Sequence, residues 1–368
     1  MNPILSINAS SSLHQETHSM ESCKNMAALK QIKLCEVLSR TLPREERFQR
    51  YRELWNQAER KQALTDFPLH LDVELSGACN LKCECCFQNG YIERKLGFMR
   101  MELFQSIIDQ GIENGLCAIK LQIRGESFLH PKWFECVRYA KESGVMDVQI
   151  TTNATLLNEK QAHEILASGL DGIVFSVDAH HGESWHQRNQ NEPYQGTIER
   201  NIRQFLSLRK SLGKKWPQVR MRASISETDQ ASYERTKERI QATFPDVDIV
   251  VVNRLHNFSD SEDSYPDLHT HYRLLPCSHL FQRLAVFWDG QVTACCMDYN
   301  NRFQLGDARK QRIQEIWLGE RMQRMRDIHL AGGRKKMDIC KHCHAYTTPI
   351  ENTYTYLDPP APFHYDGE

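Results

Sequence analysis

Between residues 68 and 255 the apolar positions switch back and forth between two rhythms, one of period two and one of helical spacing. Residues 70–75 put Leu71, Val73 and Leu75 on one face, the alternation of a strand. Leu103, Phe104, Ile107, Ile108 and Ile112 recur at helical spacing and predict a helix. Residues 118–123 read as a strand, and a helix opening at Pro131 turns Trp133, Phe134, Val137 and Ala140 inward. Strand 148–151 leads to a helix with Ala162, Ile165 and Leu166, closed by Gly169. Strand 172–177 leads to Ile198, Ile202, Phe205 and Leu206, closed near Gly213. Strands 219–224 and 248–252 flank a weaker helix around 233–244.

Six strands alternating with helices predict parallel βαβ units with right-handed crossovers. The expected class is α/β, a partial, six-stranded β/α barrel of TIM type or an open sheet. Either form puts function at the carboxyl ends of the strands. Upstream, Phe48, Tyr51, Leu54, Trp55 and Ala58 predict a helix in an N-terminal extension, residues 1–66, that packs on the main domain. Residues 67–255 form the core, 256–275 a polar linker, 276–348 a small cysteine-bearing unit and 349–368 a tail.

Composition narrows the function. Lys plus Arg number 46 and Asp plus Glu 47, a net charge of −1 that argues against a polyanion-binding protein. Hydrophobic residues are 40% and charged residues 25%, ordinary for a globular chain. The longest apolar runs, such as 249–252, fall far short of a bilayer span. Residues 1–12 lack the pattern of a secretory signal. The anomaly is 13 cysteines without a small disulfide-rich frame. Such a chain is expected in the cytoplasm, with some thiols on metal.

Cys79, Cys83 and Cys86 follow the first strand at spacings x3 and x2, with Cys85 between the last two. Three thiolates on one loop leave a metal position open, which suits an iron–sulfur centre better than a closed structural zinc. A zinc loop completed by a distant cysteine is the alternative. This pattern at a first strand end resembles the radical S-adenosylmethionine (SAM) enzymes. The resemblance implies a 4Fe–4S cluster that chelates SAM and, when reduced, yields a 5′-deoxyadenosyl radical that takes hydrogen from a substrate. It also implies an external reductant such as a flavodoxin or ferredoxin. Arg124-Gly125-Glu126-Ser127 stands where the family shows Gly-Gly-Glu-Pro, so Arg124 and Ser127 depart from it. Thr151-Thr152-Asn153-Ala154 is similar to the family's Thr-Thr-Asn-Gly, and Ser176-Val177-Asp178 to Ser-Ile-Asp. The SAM contacts that the resemblance implies are Gly125, Glu126, Asn153, Ser176 and Arg188.

The C-terminal unit holds Cys277, then Cys295 and Cys296, then Cys340 and Cys343. A hairpin with its turn at Asp289-Gly290 precedes the pair, and Ile313, Ile316 and Trp317 introduce an amphipathic helix that includes Met325. From the residues alone, zinc and iron–sulfur are both open, and His342 and His344 are further ligand types. Beside the first motif, the unit resembles the SPASM or shorter twitch domains of radical SAM enzymes. That implies one fully ligated auxiliary 4Fe–4S cluster on Cys277, Cys295, Cys340 and Cys343, with Cys296 the competitor of Cys295. Cys296 otherwise stands as a candidate hydrogen-atom donor, as an epimerase requires. The four-cysteine unit is similar to that of aminoglycoside-pathway dehydrogenases, and residues 51–74 look like proteins encoded with surface-polysaccharide genes. The expected substrate is therefore a carbohydrate-like small molecule of surface-polysaccharide or nucleotide-sugar metabolism that is oxidised or epimerised. Maturation of a ribosomal peptide comes second, because residues 1–66 lack the strand-rich pattern of a leader-binding domain. A noncatalytic iron–sulfur protein comes third, and the altered Arg124–Ser127 stretch is its main support. No nucleic acid and no membrane span are expected.

Overall fold

The computed structural model describes residues 29–83, 86, 96–177, 193–225, 229–254, 276–341 and 343, without the side chains of 193–195 and 254. The N-terminal extension contributes β1 (Lys30–Ile32), the short helix Leu34–Val37, the helix Arg44–Glu59 and β2 (Ala63–Thr65). The two strands pair in parallel, an element the helical reading of this region missed. Tyr51, Leu54, Trp55 and Ala58 are the buried face of the long helix, as their spacing requires. Arg44 reaches Asp171 at 3.3 Å, so the extension lies against the main sheet.

That sheet begins with β3 (His70–Val73), β4 (Ala118–Lys120), β5 (Asp147–Thr152), β6 (Gly172–Ser176), β7 (Gln218–Ile225) and β8 (Ile249–Arg254). All six pair in parallel and in chain order. Helices Met101–Glu113, Trp133–Ser143, Glu159–Ala167, Pro193–Ser211 and Gln230–Thr243 make the crossovers. The helix expected to open at Pro131 starts at Trp133, because a 3-10 turn at Ser127–Leu129 occupies the approach. Asn158 caps the next helix through a reciprocal pair with Gln161, which fixes its start.

The C-terminal unit does not stand apart. Its first strand, β9 (Arg283–Val286), pairs in parallel with β3 over four residues. Strands β10 (Gln291–Thr293) and β11 (Gln304–Asp307) continue antiparallel, so the sheet has nine strands with β11 and β8 at its edges. The Asp289-Gly290 turn forms as the sequence predicts, with Gly290 at φ 86° and its N–H donated to Phe287 O at 2.9 Å. The amphipathic helix beyond it breaks at Gly319 into Ile313–Leu318 and Glu320–Leu330. The expected linker 256–275 and the tail 349–368 lie outside the described residues.

Candidate catalytic and auxiliary cluster sites

Register decides which side chains share a face. Asp72, Lys120, Gln149, Gly172 and Gln218 are successive partners across β3 to β7. Counting in twos from them, Glu74, Arg124, Ser176, Arg220 and Arg222 lie on the same, inner face. The other face carries Leu71, Val73, Ile119, Val148, Ile150, Val219 and Met221 into the core beneath the helices. The inner face is therefore polar, which is unusual for a parallel sheet and marks it as the working surface.

The loop after β3 carries Cys79, Cys83 and Cys86, all half-buried. Cys86 N–H donates to Cys83 O at 2.9 Å, which turns the loop between those two thiols. Gly125 is packed beneath it: a Cβ there would run into the carbonyl oxygens of Ser76 and Ala78. Glu126 N–H donates to Ala78 O at 2.8 Å from the next residue. The family's glycine is thus required here by close approach of two strand-end loops. Glu126 is buried, and its carboxylate accepts from Thr152 Oγ1 at 2.8 Å, Asn153 N at 2.8 Å and Phe128 N at 3.1 Å. Burial pushes its pKa up, and these three donors hold it back. With three of its acceptor sites filled by the chain, Glu126 locks the end of β5, where Asn153 donates to Asn80 Oδ1 at 3.0 Å and approaches Cys79 Sγ at 3.9 Å. Ala154 takes φ 59° where the family has glycine, so the sharp turn is kept at the cost of backbone strain. Ser176 is half-buried at the end of β6. Arg188 and Cys85 lie outside the described residues.

Arg124, the departure from the family pattern, has a clear structural role. Its guanidinium grips Glu74 through two bonds of 2.8 and 2.7 Å, and its backbone N–H donates to the same carboxylate at 3.0 Å. Nη1 donates to Tyr299 O at 3.0 Å, and the guanidinium lies 3.9 Å from the Phe287 ring centroid. Glu74 Oε2 also accepts from Trp288 N at 3.2 Å. Arg124 therefore ties the catalytic end of β3 and β4 to the C-terminal unit.

In that unit Cys277, Cys295, Cys340 and Cys343 line one cavity together with His279, His329 and Arg334. Burial raises the thiol pKa of Cys277 and Cys340, so both hold their protons unless a cationic centre displaces them. A tetrahedral zinc with Zn–S of about 2.3 Å holds sulfurs about 3.8 Å apart. Among the described residues, the only three metal-ligating groups within 4.8 Å of one another are His279, Cys295 and Cys296. Neither proposed cysteine set forms such a group on its own. His279 is also spoken for. Its Nε2 lies 3.2 Å from Arg283 Nη1, and a guanidinium only donates, so the proton is on Nδ1, 3.8 Å from Cys295 Sγ. That makes His279 a donor to the Cys295 sulfur, not a ligand. Burial and then Arg283 hold its pKa well below the usual range.

Cys296 is absent from the lining of that cavity and packs against Ile123, Ala285 and Phe287. Its sulfur nevertheless stays within 4.8 Å of Cys295 Sγ and shares a hydrogen bond with it, so the two adjacent thiols remain neighbours. Arg124 brings Tyr299 to the catalytic strand ends, and burial, then Cys296, Cys295 and Cys86, raise its phenol pKa well above the usual range, with Arg222 opposing. Deeper on the inner face, Asp72 meets Lys120 at 3.2 Å and Arg283 at 3.4 Å. Sequence reasoning missed Glu74, Asp72, His279 and Tyr299, and saw Arg124 only as a departure from the family pattern. The acids at 72 and 74 were visible as the polar half of the 70–75 alternation.

Comparison with known proteins agrees with these two centres. Residues 73–213 match the radical SAM superfamily, and residues 277–344 match SPASM, an iron–sulfur cluster-binding domain. The tungsten-containing aldehyde ferredoxin oxidoreductase cofactor-modifying protein of Pyrococcus furiosus is 24% identical over 295 residues, 68% of this chain and 81% of that protein. The subtilosin biosynthesis protein AlbA of Bacillus subtilis is 32% identical over 110 residues, 30% of this chain and 24% of AlbA. The SAM-dependent 2-deoxy-scyllo-inosamine dehydrogenase of Niallia circulans is 31% identical over 68 residues, 18% of this chain and 27% of the enzyme. The crystal structure of BtrN with AdoMet and 2-DOIA superposes with a TM-score of 0.51 at 18% identity, covering 76% of this chain and 94% of BtrN, a likeness of fold. No described helix is long and apolar enough to cross a membrane. The chain belongs to the radical SAM superfamily, an enzyme family using SAM and 4Fe–4S chemistry, and carries a C-terminal SPASM iron–sulfur domain.

Proposed function

We propose that this enzyme removes hydrogen from a carbohydrate-like small molecule, oxidising or epimerising it, with Cys79, Cys83 and Cys86 holding the catalytic cluster. When bound, cluster and SAM supply a 5′-deoxyadenosyl radical, the hydrogen-abstracting agent. Gly125, Asn153, Ser176 and Arg188 are the proposed SAM contacts. Glu126 belongs with them chiefly as the group that holds Asn153 in place. Cys277, Cys295, Cys340 and Cys343 are the proposed ligands of one auxiliary cluster, which suits electron uptake in an oxidation.

One observation carries the reading: Arg124, at the strand end beside the catalytic loop, donates to Tyr299 O at 3.0 Å, three residues past Cys296, so one small molecule there can be near both centres. The likeness to the dehydrogenase of Niallia circulans supports a sugar-like substrate. The likeness to AlbA favours a peptide as the second reading. Against the peptide, the described part of the N-terminal extension is tied to the sheet through Arg44 and to the C-terminal unit through Trp55 O, which accepts from Gln282.

The test is 5′-deoxyadenosine release by the anaerobically reconstituted enzyme, with and without a pool of nucleotide sugars. Stimulation by the pool supports the reading, and stimulation by peptides instead overturns it. Replacing Cys79, Cys83 and Cys86 together by Ala abolishes SAM cleavage and leaves the auxiliary cluster's absorbance; residual cleavage would sink the assignment. Cys296→Ala separates the two chemistries. An epimerase loses product while still cleaving SAM, whereas an oxidation is undiminished.

A further inference from the structure

Strand β7 alternates strictly between half-buried and buried residues from Gln218 to Ile225. Val219, Met221 and Ala223 enter the core, which leaves Arg220, Arg222 and Ser224 on the inner face. Arg222 is the direct partner of Ser176 on β6, so it stands on the rung of strand ends that surrounds the catalytic loop. The charges of this face are otherwise matched. Asp72 serves Lys120 and Arg283, Glu74 serves Arg124, and Arg220 lies within electrostatic reach of Asp147. Arg222 is different: it is half-buried, and its guanidinium makes no hydrogen bond or ion pair among the described residues. The group it influences is Tyr299, whose carbonyl is held at the catalytic strand ends by Arg124.

A guanidinium is always charged and presents a planar fork suited to phosphate or carboxylate. Taking it partly out of water without a counter-charge is unfavourable, so a site that keeps it there is built for an anion that arrives later. We propose that Arg222 is the substrate's anion subsite, holding a phosphate or carboxylate carried by the sugar-like substrate next to Tyr299. This rests on the carbohydrate reading and narrows it to phosphorylated or acidic sugars. SAM also carries a carboxylate. The Arg222 charge is felt at Tyr299, a residue of the C-terminal unit, which favours the substrate over SAM.

The test measures binding, apart from turnover. Equilibrium dialysis of the reconstituted enzyme with SAM present uses three probes: UDP for the phosphate class, glucuronate for the carboxylate class and glucose as the neutral control. The wild type binds UDP or glucuronate, and not glucose, in the same concentration range. Arg222→Gln weakens that binding at least tenfold, Arg222→Lys weakens it less, and SAM affinity stays within twofold in both, which shows that the fold is intact. If neither anion binds the wild type, or glucose binds equally well, the subsite is overturned while the carbohydrate reading stands on its own assay. Loss of SAM affinity in Arg222→Gln would assign the arginine to the SAM carboxylate and also overturn the proposal.

Discussion

Arg124 shows how a residue that breaks a family pattern can belong to the structure more deeply than one that keeps it. As a string, Arg124-Gly-Glu-Ser127 looks like a weakened SAM motif. In the fold, Arg124 neutralises Glu74, whose side chain is fully buried, and reaches Tyr299 O. Arg124→Gly restores the family's glycine but leaves a buried carboxylate without its partner. We predict a loss of about 3–5 kcal/mol in stability, the usual cost of orphaning one member of a buried pair. Urea unfolding of the anaerobic enzyme checks it. Adding Glu74→Gln to Arg124→Gly recovers most of the loss, because the charge needing a partner is gone; no recovery would mean that Arg124 acts through its Phe287 and Tyr299 contacts. At this scale the cysteines and Gly125 were legible, since each is a residue type that few others can replace at its position. Glu74 was not, because a pattern names a residue and not its partner 50 positions away.

At the scale of elements, periodicity served well wherever one face is buried, and all six parallel strands were found with ends shifted by a few residues. It failed for β1 and β2, which have three residues each, too short for a period of two to show. It also could not weigh the charges where strands begin. Asp147, first residue of β5, is buried, and Gln149 Nε2 donates to both its oxygens at 3.1 and 2.9 Å. Burial, then the Asp171 charge, push its pKa up to about 7. Asp171 itself meets Lys141 at 2.5 Å and Arg44 at 3.3 Å, and Lys141 and Arg220 hold the rise at Asp147 back only in part. The sign follows from linkage. An unfolded Asp147 releases its proton near pH 4, whereas the folded one holds it until about 7. The folded state therefore binds the extra proton in that window, and stability falls as pH rises through it. Asp147→Asn removes the slope, being more stable than the wild type above pH 7 by on the order of a few kcal/mol and similar near pH 4. Thermal midpoints from pH 5 to 9 test this. A difference that does not change with pH would rule out Asp147 as its source.

The whole molecule differs from the sequence reading in one respect that matters for how it is assembled. Composition and cysteine spacing mark residues 276–348 as a separate small unit, because both change there. Strand pairing between chain segments more than 200 residues apart leaves no such local trace. In the fold, β3 lies between β4 and β9, and all four of its residues are buried. The C-terminal unit also supplies Arg283 to Asp72, a Trp317 Nε1 bond to Thr65 O at 2.7 Å and a Gln282 Nε2 bond to Trp55 O at 3.0 Å. Ending the chain at residue 255 would therefore expose the backbone edge of β3 and a row of buried apolar side chains. We predict that this shortened chain is recovered only as aggregate. Loss of the auxiliary cluster could produce the same result, so the full chain with Cys277, Cys295, Cys340 and Cys343 all changed to Ser is the necessary comparison. Leu284, Val286, Val292 and Trp317, each at most 1% exposed, hold β9 and β10 in place without metal. The four-serine chain should stay monomeric by light scattering, lacking only the auxiliary cluster's absorbance. A monomeric, folded 1–255 chain would show that β9 is an ornament on the sheet. Aggregation of the four-serine chain would show that the cluster, and not the strand pairing, keeps the C-terminal unit in place.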